Sequence, residues 1–240
     1  MFNTPNAAAQ QFLALALIAL LPAWDHYATG QLKKNAALKL RYYQRSIAGL
    51  WILAAVSCWA VGLRGVFESQ ANPPDISWLL GSTTARIVAS VLLTLFFVTA
   101  LLPGIRGSRS SKTRQAYVRE YQRALAFFLP ATAEEIRWFT FLCISAGICE
   151  EVLFRGFLMP YLHHAPLYLD WTLALVASSI CFGWNHLYQG ASGVFSTALA
   201  GFAFGLLFLL SGNLILPMVM HVVVDLQVVL VLRPSDRKSA

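Results

Sequence analysis

The sequence predicts an all-α protein, a polytopic bundle of about seven transmembrane helices with six to eight as the range. Three observations carry this. Of 240 residues, 58% are hydrophobic and only 12% charged, whereas a soluble domain usually carries about 25% charged residues. The apolar residues gather in segments near bilayer length, and the basic residues gather between those segments. So few charges cannot coat a soluble globule that also holds 7 Trp and 16 Phe, and the aromatic content excludes disorder.

A crossing helix needs about 20 apolar residues at about 1.5 Å rise each. Seven segments come near that length, at 7–24, 47–63, 87–102, 136–158, 171–188, 194–210 and 214–232. None alternates as a strand would, and unsatisfied backbone groups in lipid are costly, so all seven are expected to be helical. The first follows MFNTPNAAAQQ, which has no Lys or Arg, and no small-residue cleavage site succeeds it; it reads as a retained span rather than a signal peptide. Lys33, Lys34, Lys39, Arg41 and Arg45 follow span one. Arg106, Arg109, Lys112, Arg114, Arg119 and Arg123 follow span three, with Arg137 at the entrance to span four, and Arg233, Arg237 and Lys238 form the tail. Only Arg64 and Arg86 flank the other face. The positive-inside rule then puts the amino terminus outside and the carboxyl terminus in the cytoplasm. The formal charge of +7 thus needs no nucleic acid.

The connection 104–130 carries Tyr117, Tyr121, Leu125 and Phe128 at three- and four-residue intervals. Either a helix lies there on the membrane surface, held by anionic headgroups, or the segment is a solvated cytoplasmic connection. No internal repeat or second domain is visible, so residues 1–240 read as one integral membrane domain. Cys58, Cys143, Cys149 and Cys181 lie within apolar runs without a CxxC pair, which suggests buried structural thiols rather than disulfides or a zinc knuckle.

Charges within spans cost about 2.5–3.5 kcal/mol each at mid-bilayer on insertion scales and so ask for a reason. The exceptions are Glu150, Glu151 and Arg155 in span four, His186 in span five, and His221 with Asp225 in span seven. Glu151 and Arg155 stand four apart on one helical face and can neutralise each other. Glu150 is rotated by about 100° and needs another partner, which makes it the candidate general base. Phe182 and His186 share a face, and Gly183 lets a neighbouring helix approach. His221 and Asp225 again sit four apart, and Pro217, four before His221, suggests a kink near the site. A carboxylate, two imidazoles and an aspartate facing one another around water could drive attack of that water on a carbonyl, as in peptide hydrolysis. No GxSxG nucleophile or glycine-rich phosphate loop competes with it. With straight helices, Glu150 would lie about 21 Å from the cytoplasmic end of span four while His186 would lie near that end of span five. A longer span five, a later start of span four, a tilt or a break must close that gap.

The motifs EEVLFR at 150–155, FGWNH at 182–186 and HVVVD at 221–225 together resemble the CPBP family, which includes the type II CAAX prenyl endopeptidases and the bacteriocin-immunity (Abi) proteins. The resemblance covers about 125–232. It implies a helical bundle whose cavity cuts membrane-associated peptides. Glu150 would activate water, His186 would assist, His221 and Asp225 would stabilise the oxyanion, and Glu151 with Arg155 would hold the active-site helix. Many prenyl endopeptidases of this family have Asn at the last motif position. An ionised Asp225 can only accept hydrogen bonds, so it suits instead a metal set of His186, His221 and Asp225, zinc for example, with Glu150 as base. A mechanism of glutamate and water without metal stands beside it. Two readings from other classes also remain open: a proton-coupled transporter or channel component, and a non-enzymatic immunity or scaffold protein. Substrate identity and oligomeric state are not legible.

Overall fold

The computed structural model describes residues 6–67, 77, 81–164 and 167–232. The tail cations Arg233, Arg237 and Lys238 lie outside the described residues. Among the described residues every regular element is helical and no β-strand occurs. Helix α1 (Ala7–Lys34) is followed by α2 (Lys39–Val61), the short α3 (Leu63–Phe67), α4 (Thr83–Arg109) and α5 (Ser111–Leu125). Then come α6 (Ala133–Glu151), α7 (Trp171–Trp184), α8 (Gly190–Ser211) and α9 (Ile215–Val231). Each of the seven apolar segments overlaps one of these helices, with 136–158 and 171–188 running on past the ends of α6 and α7. By length and composition, four stretches suffice to cross a membrane: Ala7–Lys34, Ala36–Val61, Thr83–Arg109 and Leu187–Ser211. α7 and α9 are apolar but shorter.

Local chemistry sets the helix ends. Ser82 and Ser110 cap α4 and α5 by accepting from the Ala85 and Thr113 amides, and Thr132 with Glu135 forms a capping box at the start of α6. Asp170 accepts from the Thr172 and Leu173 amides at 2.8 and 3.0 Å, which starts α7. These hydrogen bonds to its ionised form hold the Asp170 carboxyl below the ordinary aspartate range. α8 stops at Gly212, whose φ of +74° is the left-handed conformation glycine adopts without strain.

Two wide, π-type turns precede prolines. Pro22 and Pro160 have no amide to give, and in both places the preceding turn expands to Ala16–Leu20 and Val152–Leu158. The second continues directly from α6 and leads into Met159–His163, so span four runs beyond its expected end at 158. Pro217 behaves differently from expectation. It is the third residue of α9, where an amide would have no intrahelical acceptor in any case, so it helps start the helix and makes no kink beside His221.

α4 carries an internal proline, Pro103. The side chain of Gln227, from α9, is inserted into the adjacent rung. Its Nε2 donates to the Ala100 carbonyl at 2.7 Å, and its Oε1 accepts from the Gly104 amide at 3.2 Å. A Cβ on Gly104 would stand 2.9 Å from that of Gln227, so the glycine is what admits the side chain. Glycines make two further contacts close. A Cβ on Gly147 of α6 would meet the Val222 nitrogen of α9 at 2.6 Å, and one on Gly183 of α7 would meet the Val194 carbonyl oxygen of α8 at 2.6 Å.

The α5–α6 connection is tied down by α2. Buried Lys39 donates to the Leu129 carbonyl at 2.7 Å and lies 3.6 Å from Glu135, while the Tyr43 hydroxyl donates to the Phe128 carbonyl. This fixes Phe128 as part of a cavity wall rather than a freely solvated connection. Because Gln227 satisfies two backbone groups at the proline break, Gln227→Leu is expected to cost about 1–3 kcal/mol. The check is the unfolding midpoint in detergent micelles, which should fall; an unchanged midpoint would show that α4 supports its own break.

Candidate active site

Glu150 and Glu151 are the last two residues of α6, and Arg155 sits in the wide turn that follows. Glu151 is fully buried and Arg155 is 1% exposed. Arg155 donates one guanidinium nitrogen to Glu151 Oε1 at 2.9 Å and another to the Gly201 carbonyl at 2.7 Å. Its carbon lies 4.4 Å from the ring centre of Phe182 and 5.5 Å from that of Phe204. The guanidinium is therefore met by a carboxylate, a carbonyl and two aromatic faces, a set able to hold a cation out of water. Gly201 is part of the device, since a Cβ there would come within 3.3 Å of the guanidinium.

The same Glu151 oxygen takes a second bond. His221 Nδ1 lies 2.8 Å from Glu151 Oε1, so that nitrogen carries the proton and donates it to the carboxylate, leaving Nε2 turned elsewhere. Nε2 stands 4.0 Å from Glu150 Oε2 and 3.8 Å from Asp225 Oδ2. Phe204 stacks on the His221 ring at 4.6 Å and 19°, fixing its plane. The four-residue spacings 151–155 and 221–225 thus give the expected pairings. The bond between the two pairs, through Glu151, was not anticipated.

His186 is not on a helix. α7 ends at Trp184, and His186 occupies the connection before the short turn Leu187–Gln189, with φ −113° and ψ 28°. Span five therefore stops short of residue 188. Its 14 residues rise about 21 Å, less than a bilayer core, and His186 beyond its end lines the same cavity as Glu150 despite the expected mismatch of depth. Asn185 anchors the connection by donating to the Leu17 carbonyl at 2.8 Å. That carbonyl is free because the wide turn in α1 sends the Leu21 amide to Ala16 instead. His186 Nδ1 lies 2.8 Å from the Phe182 carbonyl oxygen, an acceptor only, so Nδ1 holds a proton and Nε2 of the neutral ring has the lone pair.

Glu150, His186, His221 and Asp225 all line one cavity of about 920 Å³. Glu150 Oε2 is buried without a hydrogen-bond partner. Among the described residues no group of three His, Cys, Asp or Glu side chains, the suggested zinc set of His186, His221 and Asp225 included, is gathered closely enough to hold a metal ion. Sequence reasoning also missed Asp25, Tyr42 and Tyr188, which line the same cavity from α1, α2 and the α7–α8 connection.

Glu151→Gln is expected to destabilise the protein by about 3–5 kcal/mol, because Arg155 would remain buried without its counter-charge. Glu150→Gln, which breaks no hydrogen bond of Oε2, should change stability by about 1 kcal/mol or less. Thermal unfolding of the two variants in the same detergent separates these roles, and equal losses would contradict the division.

Neither a curated protein nor a solved structure matches the chain. The family model described as type II CAAX prenyl endopeptidase Rce1-like matches residues 132–227, a stretch that contains Glu150, Glu151, Arg155, His186, His221 and Asp225. The matched stretch carries the whole polar cluster, and the match supports the resemblance to the CPBP family that its motifs show.

Proposed function

We propose that the protein is an endopeptidase acting within the membrane, which hydrolyses a peptide bond of a prenylated or otherwise lipid-anchored substrate with water activated by Glu150. The observation that carries this reading is Glu150 Oε2, buried, unsatisfied by any described group and 4.0 Å from His221 Nε2 in a cavity shared with His186. A carboxylate oxygen so placed can take a proton from a water held between it and the lone pair of His186 Nε2.

Removal of that proton lets the water oxygen bond to the scissile carbonyl carbon, and the carbonyl electrons move to oxygen. His221 faces the cavity through Nε2, and in its protonated state it donates from there to the oxyanion. Asp225, an acceptor when ionised, serves His221 rather than the oxyanion. Collapse of the intermediate breaks the carbon–nitrogen bond, and the proton on Glu150 passes to the leaving amine. The apolar cavity walls suit a lipid-bearing substrate. The clustering of Lys and Arg after spans one and three supports an inner-membrane location with the amino terminus outside.

Glu150→Gln should reduce cleavage of a lipid-anchored peptide at least about a hundredfold while the protein stays folded; the readout is product formation by purified protein in proteoliposomes. Uncleaved peptides together with proton flux through the wild-type vesicles would replace the protease with a transporter. Because the donors are not gathered as a metal site, activity should survive dialysis against EDTA and should not rise with added zinc. Loss on chelation with recovery on zinc would overturn the proposed route.

A further inference from the structure

The cavity has a second polar wall, made by helices outside the family-matched stretch. Asp25 of α1 receives the Tyr42 hydroxyl of α2 on Oδ1. Its Oδ2 is buried and has no hydrogen-bond partner. The Trp24 ring lies over the Tyr42 ring at 5.9 Å and 7°, and Trp24 is 40% exposed. All three side chains line the cavity that holds Glu150. Tyr188 links the two polar regions: its ring is 5.8 Å from that of His186, and it lines the same cavity as Asp25, Glu150 and Asp225.

A carboxylate oxygen withdrawn from water without a partner is costly unless something of opposite charge fills the place. Among the described residues none hydrogen-bonds Oδ2, and the adjacent His26, which acts on Asp25 only through its charge, is exposed. Arg45, on the same wall, is exposed and leaves Oδ2 unoccupied. Aromatic faces beside a carboxylate form a setting that attracts an organic cation, by the ring quadrupole and the charge together. We propose that Trp24, Asp25 and Tyr42 form a subsite for an ammonium or guanidinium group of the molecule occupying the cavity. This rests on the protease reading and deepens it, because it assigns the substrate a basic side chain near the scissile bond. The motif-bearing helices supply the chemistry, and the amino-terminal helices select what reaches it.

The test is binding, so it does not depend on hydrolysis. Full-length E150Q protein in phosphatidylglycerol vesicles is titrated with fluorescent, acyl-anchored peptides in which one lysine is moved position by position, each matched by norleucine. At one position lysine should bind about tenfold tighter than norleucine, as expected for a charge-assisted contact. Adding D25N should abolish that preference while leaving norleucine affinity unchanged, and adding W24L instead should reduce it. Repeating the titration with phosphatidylethanolamine present identifies the source of the cation: suppression of the lysine preference that depends on Asp25 means that the headgroup ammonium uses the same subsite. No lysine preference at any position in either membrane, or a preference unchanged by D25N, overturns the subsite. A wild-type protein that binds with this preference yet cleaves nothing would overturn the protease reading alone.

Discussion

One carboxylate oxygen organises the structure. Glu151 Oε1 holds both Arg155 and His221, at 2.9 and 2.8 Å. Through those bonds it ties the end of α6 to α9, while Arg155 carries the connection on to Gly201 of α8 and to the Phe182 face of α7. Ions buried in an apolar medium cost several kcal/mol each unless their partners are well placed. The cost makes the arrangement specific: few relative positions of four helices satisfy Arg155 on every side. Glycines at 147, 183 and 201 permit those positions, because each lies where a methyl group would strike a neighbouring helix or the guanidinium.

The consequence for the site is orientation of a proton. His221 could present either ring nitrogen to the cavity, but the Glu151 bond decides it, and the Phe204 stack decides the plane. His186 is settled by the same means with a carbonyl in place of the carboxylate. Two imidazoles thus turn Nε2 away from their Nδ1 anchors, and Glu150 is the member of the acidic pair that the structural network leaves over. Adjacent glutamates take different duties because helical geometry turns them about 100° apart. One is used up inside the protein and the other faces the cavity.

How much of this could be read from the sequence depends on the range of each interaction. The seven apolar segments and the pairings 151–155 and 221–225 are local and follow from helical periodicity. The Glu151–His221 bond joins residues 70 apart, and no spacing rule reports it. Pro217 misled because a proline reads alike at a helix start and in its middle, and only the true first residue of α9 tells them apart. His186 misled because Leu187 and Tyr188 extend the segment's apolar character past the polar Asn185 and His186, although the helix stops at Trp184. Asn185 held a signal in retrospect: an amide side chain at the end of an apolar helix needs an acceptor, and Leu17 supplies it through the wide turn before Pro22. The zinc suggestion rested on residue types, and the arrangement of the side chains does not support it.

The wide turns and the proline break share a logic that bears on how a dry bundle makes room for polar chemistry. Each breaks the backbone ladder of a helix, and at two of them a distant amide side chain takes up what the ladder releases: Asn185 at α1 and Gln227 at α4. In lipid, where water cannot satisfy such groups, the side chain must reach its place for the break to be tolerable. The breaks are therefore fixed joints rather than loose ones. Asn185 immediately precedes His186, and Gln227 follows Asp225 by two residues, so the joints that repair the bundle's outer helices also set the depth and rotation of two cavity-lining groups.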